Sequence, residues 1–411
     1  MARLEPPKEV GAAPRYYMLE TLREYGREKL RAAGEEHAAR TRHLNFLLGL
    51  AETQEPQLYY GAMLEALAQL EAEHDNFRAG LEWGLQHAPM DALRLVGALG
   101  RFWDRRGYVS EGAEWVRRAL AHAADTPTAA RAKALRFAGG FARLRGEYAM
   151  ARKWIEASLA MYRELNDKAG IAVMLNSTGF QLDYEGDYVA AQEYYLASQA
   201  AYREIGEAWG VAMTTSNLGS VALALGETAR ARELNRASSA ALTALGDKST
   251  LAVSIKNEAE AAYQLQDFAQ ARALLTRALA LNQELGETRG VALVYCDLGA
   301  NCAALGENDA AQQYYNAALQ TFVESGDLRE VALVLEGLAE LAARAENFLR
   351  AARLWGAAEM LHTTVGAPRL PATQESYARA VSEARAKVGD AAFDAAWAEG
   401  GALTLGQMAQ L

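Results

Sequence analysis

Small and apolar residues along most of this chain recur at three- and four-residue spacing. Ala212, Thr215, Leu218, Gly219 and Ala222 form one such stretch, and Ala231, Leu234 and Ala241 the next. This is the period of a buried helical face, not the alternation of a strand. A short turn separates the two stretches, and the pair repeats: Gly146-Glu147-Tyr148, Gly186-Asp187-Tyr188, Gly226-Glu227-Thr228, Gln266-Asp267-Phe268, Gly306-Glu307-Asn308 and Glu346-Asn347-Phe348 return every forty residues without slippage. A second column, Ala132, Ala172, Ala212, Ala252, Ala292 and Ala332, runs in phase with it. An internal period of this length predicts stacked units of two amphipathic helices.

The small columns, Gly219 in the first helix and Ala191, Ala231, Ala271, Ala311 and Ala351 in the second, let two backbones approach. Tyr195, Leu275 and Trp355 fill the space between units. Leucine at Gly219 or Ala231 is therefore expected to destabilise the chain, and leucine at Ser216 is not. Gly206, Gly246, Gly286 and Gly326 fall where second helices must stop, and the acidic residue after each suits the next helix N-terminus. The order Leu218-Gly219, Ala231, Ser238 resembles the tetratricopeptide pattern, stretched from about 34 residues to forty. The expected fold is all-α: a right-handed superhelical solenoid of tetratricopeptide-like hairpins with a C-terminal helical cap.

Composition narrows the function. Half of the 411 residues are apolar and prolines are few, which suits a stacked helical array with no single-core size limit. A formal net charge of −10 argues against duplex nucleic acid as a partner, because phosphate binding needs a basic face. No apolar run reaches the roughly 18–20 residues that span a bilayer and no signal peptide opens the chain, so a cytoplasmic protein without membrane contact is expected. Cys296 and Cys302, the two thiols, read as reduced structural residues.

Residues 1–14 carry three prolines and no periodicity, and read as a flexible leader. Arg15-Tyr16-Tyr17-Met18-Leu19 reads as a short extended piece, followed by a helix stopped at Gly34. Residues 35–125 form a helical region leading into the array, residues 126–366 the repeats, and residues 367–411 the cap, with helices expected over 373–388 and 390–399. The Asp125-Thr126-Pro127-Thr128 turn is expected to cap the helix after it, with proline in the first turn.

Four segments carry a family resemblance. The run from Arg15 to Tyr25 resembles the closing strand and helix of the winged-helix domain in bacterial STAND-type signal-transduction ATPases. The run from Leu70 to Ala79, the Trp103 to Leu120 segment with its Gly107-Tyr108, and Trp355-Gly356-Ala357-Ala358 followed by Ala396-Trp397 and Gly400 are similar to the same proteins. The resemblance spans residues 15–405 and makes residues 15–34 a winged-helix remnant. It implies an ATPase and winged-helix module upstream, and a superhelical arm that senses an inducer (protein, peptide or small molecule) and controls activation. The alternative is a free-standing scaffold that joins two proteins without a switch.

Chemical motifs are weak. Gly246-Asp247-Lys248-Ser249-Thr250 follows a helix, whereas a phosphate loop follows a strand, so it reads as a turn. The six histidines have no paired metal spacing, no nucleophile sits in a strand-turn-helix elbow, and neither an enzyme activity nor a cofactor is expected. In the tetratricopeptide arrangement the concave groove is lined by first-helix positions. Here these give Lys133, Arg136, Phe137 and Arg143, then Asn176, Ser177 and Tyr184, then Asn217, then Lys256, Asn257 and Glu260, then Asp297. Lys133, Arg136 and Arg143 share one helix face. Facing Asn176 and Asn217, with Tyr184 as a wall, they hold an anionic ligand group, or else Lys133 and Arg136 simply pair with Asp167, Asp183 or Glu185.

Overall fold

The structure, a computed structural model, describes residues 3–5, 15–59, 62–366, 369 and 371–411. Two short antiparallel strands, β1 (Arg3–Glu5) and β2 (Arg15–Tyr17), precede α1 (Glu20–Ala32). Strand β1 lies inside the stretch expected to be a structureless leader, and residues 6–14 lie outside the described residues. Helix α1 contributes no buried residue. The N-terminal region then runs α2 (Glu36–Gln54), a 3-10 turn (Glu55–Leu58), α3 (Met63–Ala72), α4 (His74–His87), α5 (Pro89–Arg106) and α6 (Val109–His122).

Six hairpins follow: α7 (Ala129–Leu144) with α8 (Tyr148–Glu164), α9 (Lys168–Glu185) with α10 (Tyr188–Glu204), α11 (Ala208–Ala224) with α12 (Thr228–Leu245), α13 (Lys248–Gln264) with α14 (Phe268–Leu285), α15 (Thr288–Ala304) with α16 (Asn308–Ser325), and α17 (Leu328–Arg344) with α18 (Phe348–Val365). Helices α19 (Pro371–Val388), α20 (Asp390–Gly401) and α21 (Leu405–Met408) close the chain. The architecture is the expected right-handed solenoid of tetratricopeptide-like hairpins.

The helix boundaries follow from local chemistry. Asp167, Asp187, Asp247 and Asp267 each accept a hydrogen bond from a backbone N–H of the helix they precede. Gly186, Gly246, Gly286 and Gly326 end helices in the left-handed conformation. At the start of α7 the cap is Thr128, whose hydroxyl accepts from Arg131 N at 3.2 Å, so Pro127 precedes the helix instead of sitting in its first turn.

Within each unit the small columns behave as the pattern requires. Ala132, Ala172 and Ala212 are buried, and their carbonyls accept from Ser158, Ser198 and Ser238 of the paired second helix at 2.7, 2.7 and 2.8 Å. A Cβ on Gly219 would run into the Asn235 side chain. Ser216, expected to tolerate leucine, is itself buried and accepts a hydrogen bond from Asn257. The inner side of this solenoid is too narrow for that position to face solvent. All three leucine substitutions, at Gly219, Ala231 and Ser216, should therefore cost about 1–3 kcal/mol in urea denaturation. A neutral Ser216→Leu would show that α11 and α13 are farther apart than described.

Candidate functional site

Consecutive first helices α7, α9, α11, α13, α15 and α17 line the inside of the superhelix. The superhelix is curled tightly enough for early and late units to meet across it. Tyr59 lies edge-on to Trp209 at 5.9 Å between ring centroids. Arg105, at the end of α5, forms an ion pair with Glu287 just before α15. Arg289 Nη2 donates to the Tyr184 hydroxyl at 3.4 Å, and the Arg329 guanidinium lies 4.3 Å from the Tyr184 ring centroid. Tyr148, Tyr184 and Val365 pack as one small apolar cluster. The inside of the superhelix is thus bridged by side chains far apart in sequence.

The expected groove residues divide by position. Lys133 forms an ion pair with Glu55 of the 3-10 turn, and Arg136 Nη2 donates to the Tyr59 hydroxyl at 3.3 Å. Neither pairs with Asp167, Asp183 or Glu185: Asp167 caps α9, and Glu185 is held by Arg152 and Gln181. Phe137 packs on α5, where a Cβ on Gly100 would collide with its ring, so it belongs to a helix interface. Arg143 lies over the rings of Phe180 and Tyr184, 4.6 and 5.6 Å from their centroids.

Asn217 Nδ2 donates to Asn176 Oδ1 at 2.8 Å, a polar rung between neighbouring units. Asn257 repeats that rung less closely on Ser216, at 3.4 Å. Ser177 turns back to its own helix, donating to Val173 O at 3.1 Å. Lys256 and Asp297 form an ion pair at 3.4 Å, with half-buried Glu260 one turn along α13. Of the six charged residues expected in the groove, Lys133, Lys256 and Asp297 are held in ion pairs.

The electrostatics follow from the narrowness. Burial opposes the charge on Lys256, yet Asp297, Glu260 and Glu330 outweigh it and hold the ammonium above its usual pKa. Burial likewise opposes charge on Arg289, and Tyr184, Asp327 and Glu330 overcome it, with Arg289 Nε donating to Asp327 at 2.9 Å. The Cys296 thiol is pushed up by burial, with Glu330 and Asp297 adding to it. Asp183 is pushed up to about 6 by burial, against the pull of Arg329 and Arg143.

A carboxyl whose folded pKa exceeds its unfolded value lets the native state bind the proton more tightly. Stability then falls as pH rises from about 4 through 6. Asp183→Asn should remove that slope and leave the variant about 1–2 kcal/mol more stable than wild type at pH 8. Urea denaturation of both proteins at pH 4.5 and pH 8 checks this. A variant less stable at pH 8 would mean that attraction to Arg329 and Arg143 outweighs burial.

Sequence reasoning missed Tyr59, Arg101, Arg105, Glu287, Arg289 and Arg329. The last two carry a readable signal: they occupy the column of Ala129, Ala169, Trp209 and Ser249, and they are its first charges. Among the described residues no group of three His, Cys, Asp or Glu side chains is placed to hold a metal, and no helix is long and apolar enough to cross a membrane. An open depression of about 500 Å³ lies between α18 and α19, lined by Glu359, His362 and Arg369 among others. Its charges are paired with one another and with Glu336.

Residues 249–322 match the family model described as tetratricopeptide repeat. Proteins of Mycobacterium bovis and Mycobacterium tuberculosis named as HTH-type transcriptional regulators are 29% identical over 189 residues, which is 41% of this chain. The chain spans about a fifth of the length of these relatives. Among solved structures, a Rap protein complexed with Competence and Sporulation Factor superposes with a TM-score of 0.63 at 12% identity, covering 84% of this chain and 97% of that one. The Rap conjugation gene regulator of plasmid pLS20, complexed with the Phr* peptide, gives 0.58 at 10% identity, covering 78% and 96%.

Proposed function

We propose that this chain is the ligand-sensing and protein-interaction arm of a STAND-type ATPase regulator, that it takes a protein, peptide or small-molecule inducer into its channel, and that it carries no catalytic activity of its own. The observation that carries the reading is the bridging of the channel by Arg105–Glu287 and by Tyr184 with Arg289 and Arg329. A ligand entering there must rearrange contacts between distant units, so its binding energy can bias a closed-to-open equilibrium of the whole arm.

Regulation by such an arm suits the transcriptional regulators, of which this chain resembles only a part, and Rap proteins of the same architecture are solved with Competence and Sporulation Factor and with the Phr* peptide. In the longer protein the winged-helix remnant at residues 15–34 joins the arm to an upstream ATPase, in the cytoplasm. The reading is tested by a thermal-shift screen of peptides and metabolites on this chain, followed by ATP hydrolysis of the longer protein with each hit. A ligand at 100 times its Kd should add about 2.7 kcal/mol to stability and change hydrolysis. A hit that binds the arm and leaves hydrolysis unchanged would instead describe a scaffold without a switch.

A further inference from the structure

Four cations of the inner wall pair with carboxylates: Lys133 with Glu55, Arg105 with Glu287, Lys256 with Asp297, and Arg289 with Asp327. Four arginines have no such pair: Arg143 and Arg329 lie over the Tyr184 ring, and Arg101 and Arg136 form a separate group at Tyr59. The latter two lie against Tyr59, Arg101 with its guanidinium 4.6 Å from the ring centroid and Arg136 donating to the hydroxyl at 3.3 Å. No ion pair joins either of them to a carboxylate of the described residues. Glu55 and Glu287, the nearby acids, are held by Lys133 and Arg105, and Asp104 is exposed.

Aromatic rings cover one guanidinium face of each, Tyr59 for Arg101 and Phe137, at 4.4 Å, for Arg136. The rings leave the in-plane N–H edges as donors, and Arg101 Nε is shielded from solvent with no hydrogen-bond partner. A buried cation with no anion is costly unless a ligand supplies one. The local field agrees: burial alone would raise the Tyr59 phenol, yet Arg136 and Arg101 overcome it and hold the phenol below its usual pKa. A place that favours phenolate favours other anions. The Arg101 guanidinium, by contrast, is pulled below its ordinary value by burial and by Arg105 beside it.

Resting on the reading of the channel as the ligand site, we propose that Arg101 and Arg136 receive an anionic group of the ligand, a phosphate or a carboxylate. Charge-assisted, edge-on guanidinium contacts are the geometry that binds such groups. The ligand class this selects is a phosphorylated metabolite or a molecule bearing a free carboxylate; an uncharged sugar or amide would leave both cations unpaired.

The test is calorimetric titration of the full chain with inorganic phosphate and, separately, with succinate, at constant ionic strength in chloride. At least one should bind saturably with one site, and Arg101→Gln and Arg136→Gln should each weaken it tenfold or more. Arg277→Gln, an exposed arginine of a second helix, should change nothing. Tighter phosphate points to a phosphorylated ligand, and tighter succinate to a carboxylate. Without anion, Arg101→Gln should melt no lower than wild type, because it removes an unpaired cation; a purely structural arginine would lower the melting point. If Arg136→Gln fails to fold, Arg101→Gln decides in its place. Binding of neither anion, or binding that survives Arg101→Gln, overturns the proposal. An uncharged ligand that raises the melting point while both anions fail also overturns it, and leaves the channel reading standing.

Discussion

Gly400→Val should detach the C-terminal cap and cost about 3 kcal/mol or more in urea denaturation. The side chain matters less than the Cβ. At Gly400 it would run into the carbonyl oxygen of Arg353, with the carbonyl carbon at 2.7 Å and Ala357 N at 3.0 Å. At Gly356, across the same crossing, it would run into the carbonyl oxygen of Trp397, with the carbonyl carbon at 2.8 Å. Both obstacles are helix backbone, which cannot rotate away, so α20 must lift off α18.

Lifting it uncovers Trp355 and Leu354 and removes Phe393 from the core they share. A solenoid without its terminal cap exposes the apolar face of the last repeat. Limited proteolysis of Gly400→Val should then cut within residues 371–388 while residues 129–344 resist. Gly401→Ala is the matched control, because its Cβ meets only the Gly356 carbonyl, at 3.5 Å. Equal stability of Gly400→Val and Gly401→Ala would show that the two helices cross less closely than described.

The second large effect is expected at the bridge between α5 and α15. Arg105 and Glu287 are each 14% exposed, so removing one strands the other in a poorly solvated channel. The two deletions differ in kind. Without Arg105, Glu287 can take up a proton, since burial already raises its pKa against the pull of Arg105 and Arg101. Without Glu287, Arg105 sits beside Arg101 and cannot neutralise itself.

Glu287→Ala should therefore cost about 2–4 kcal/mol and Arg105→Ala about 1–2 kcal/mol. The cost of Arg105→Ala should shrink as pH falls, because protonated Glu287 no longer needs a partner. Small-angle scattering should show a larger radius of gyration for Glu287→Ala, as early and late units part. Equal costs for the two at every pH would mean that the pair is solvated and does not hold the channel closed.

The helical columns were legible because they are enforced by packing that repeats. Ala132 and its equivalents must admit the carbonyl-to-serine approach in several units, so the same residue returns every forty positions. Three of the flanking segments read through a resemblance have physical reasons of their own. His74 lies 3.1 Å from Glu111, which also accepts from Arg78, and the Tyr108 hydroxyl donates to Glu71 at 2.8 Å. The segments around residues 70–79 and 103–120 are thus two halves of one polar contact, as Gly356 and Gly400 are two halves of one helix crossing.

The channel was only half legible. Periodicity identifies which face of α7 points inward, and it brought out Lys133, Arg136 and Arg143. It cannot report what lies opposite, because curvature accumulates over several units and no local residue encodes it. Tyr59 and Arg101 belong to the irregular region before the repeats, where no column exists to compare them with. Ser216 was misread for the same reason: a groove position in an open solenoid is a buried one in a closed turn.

The claim that the channel is the ligand site is tested most directly by amide hydrogen exchange of the full chain, with and without a hit from the thermal-shift screen. The account predicts slower exchange in the first helices α7, α9, α13 and α15 and in the segment around Tyr59, with helices α8, α10, α12 and α14 unchanged. Protection confined to those second helices, or to α19 and α20, would contradict it.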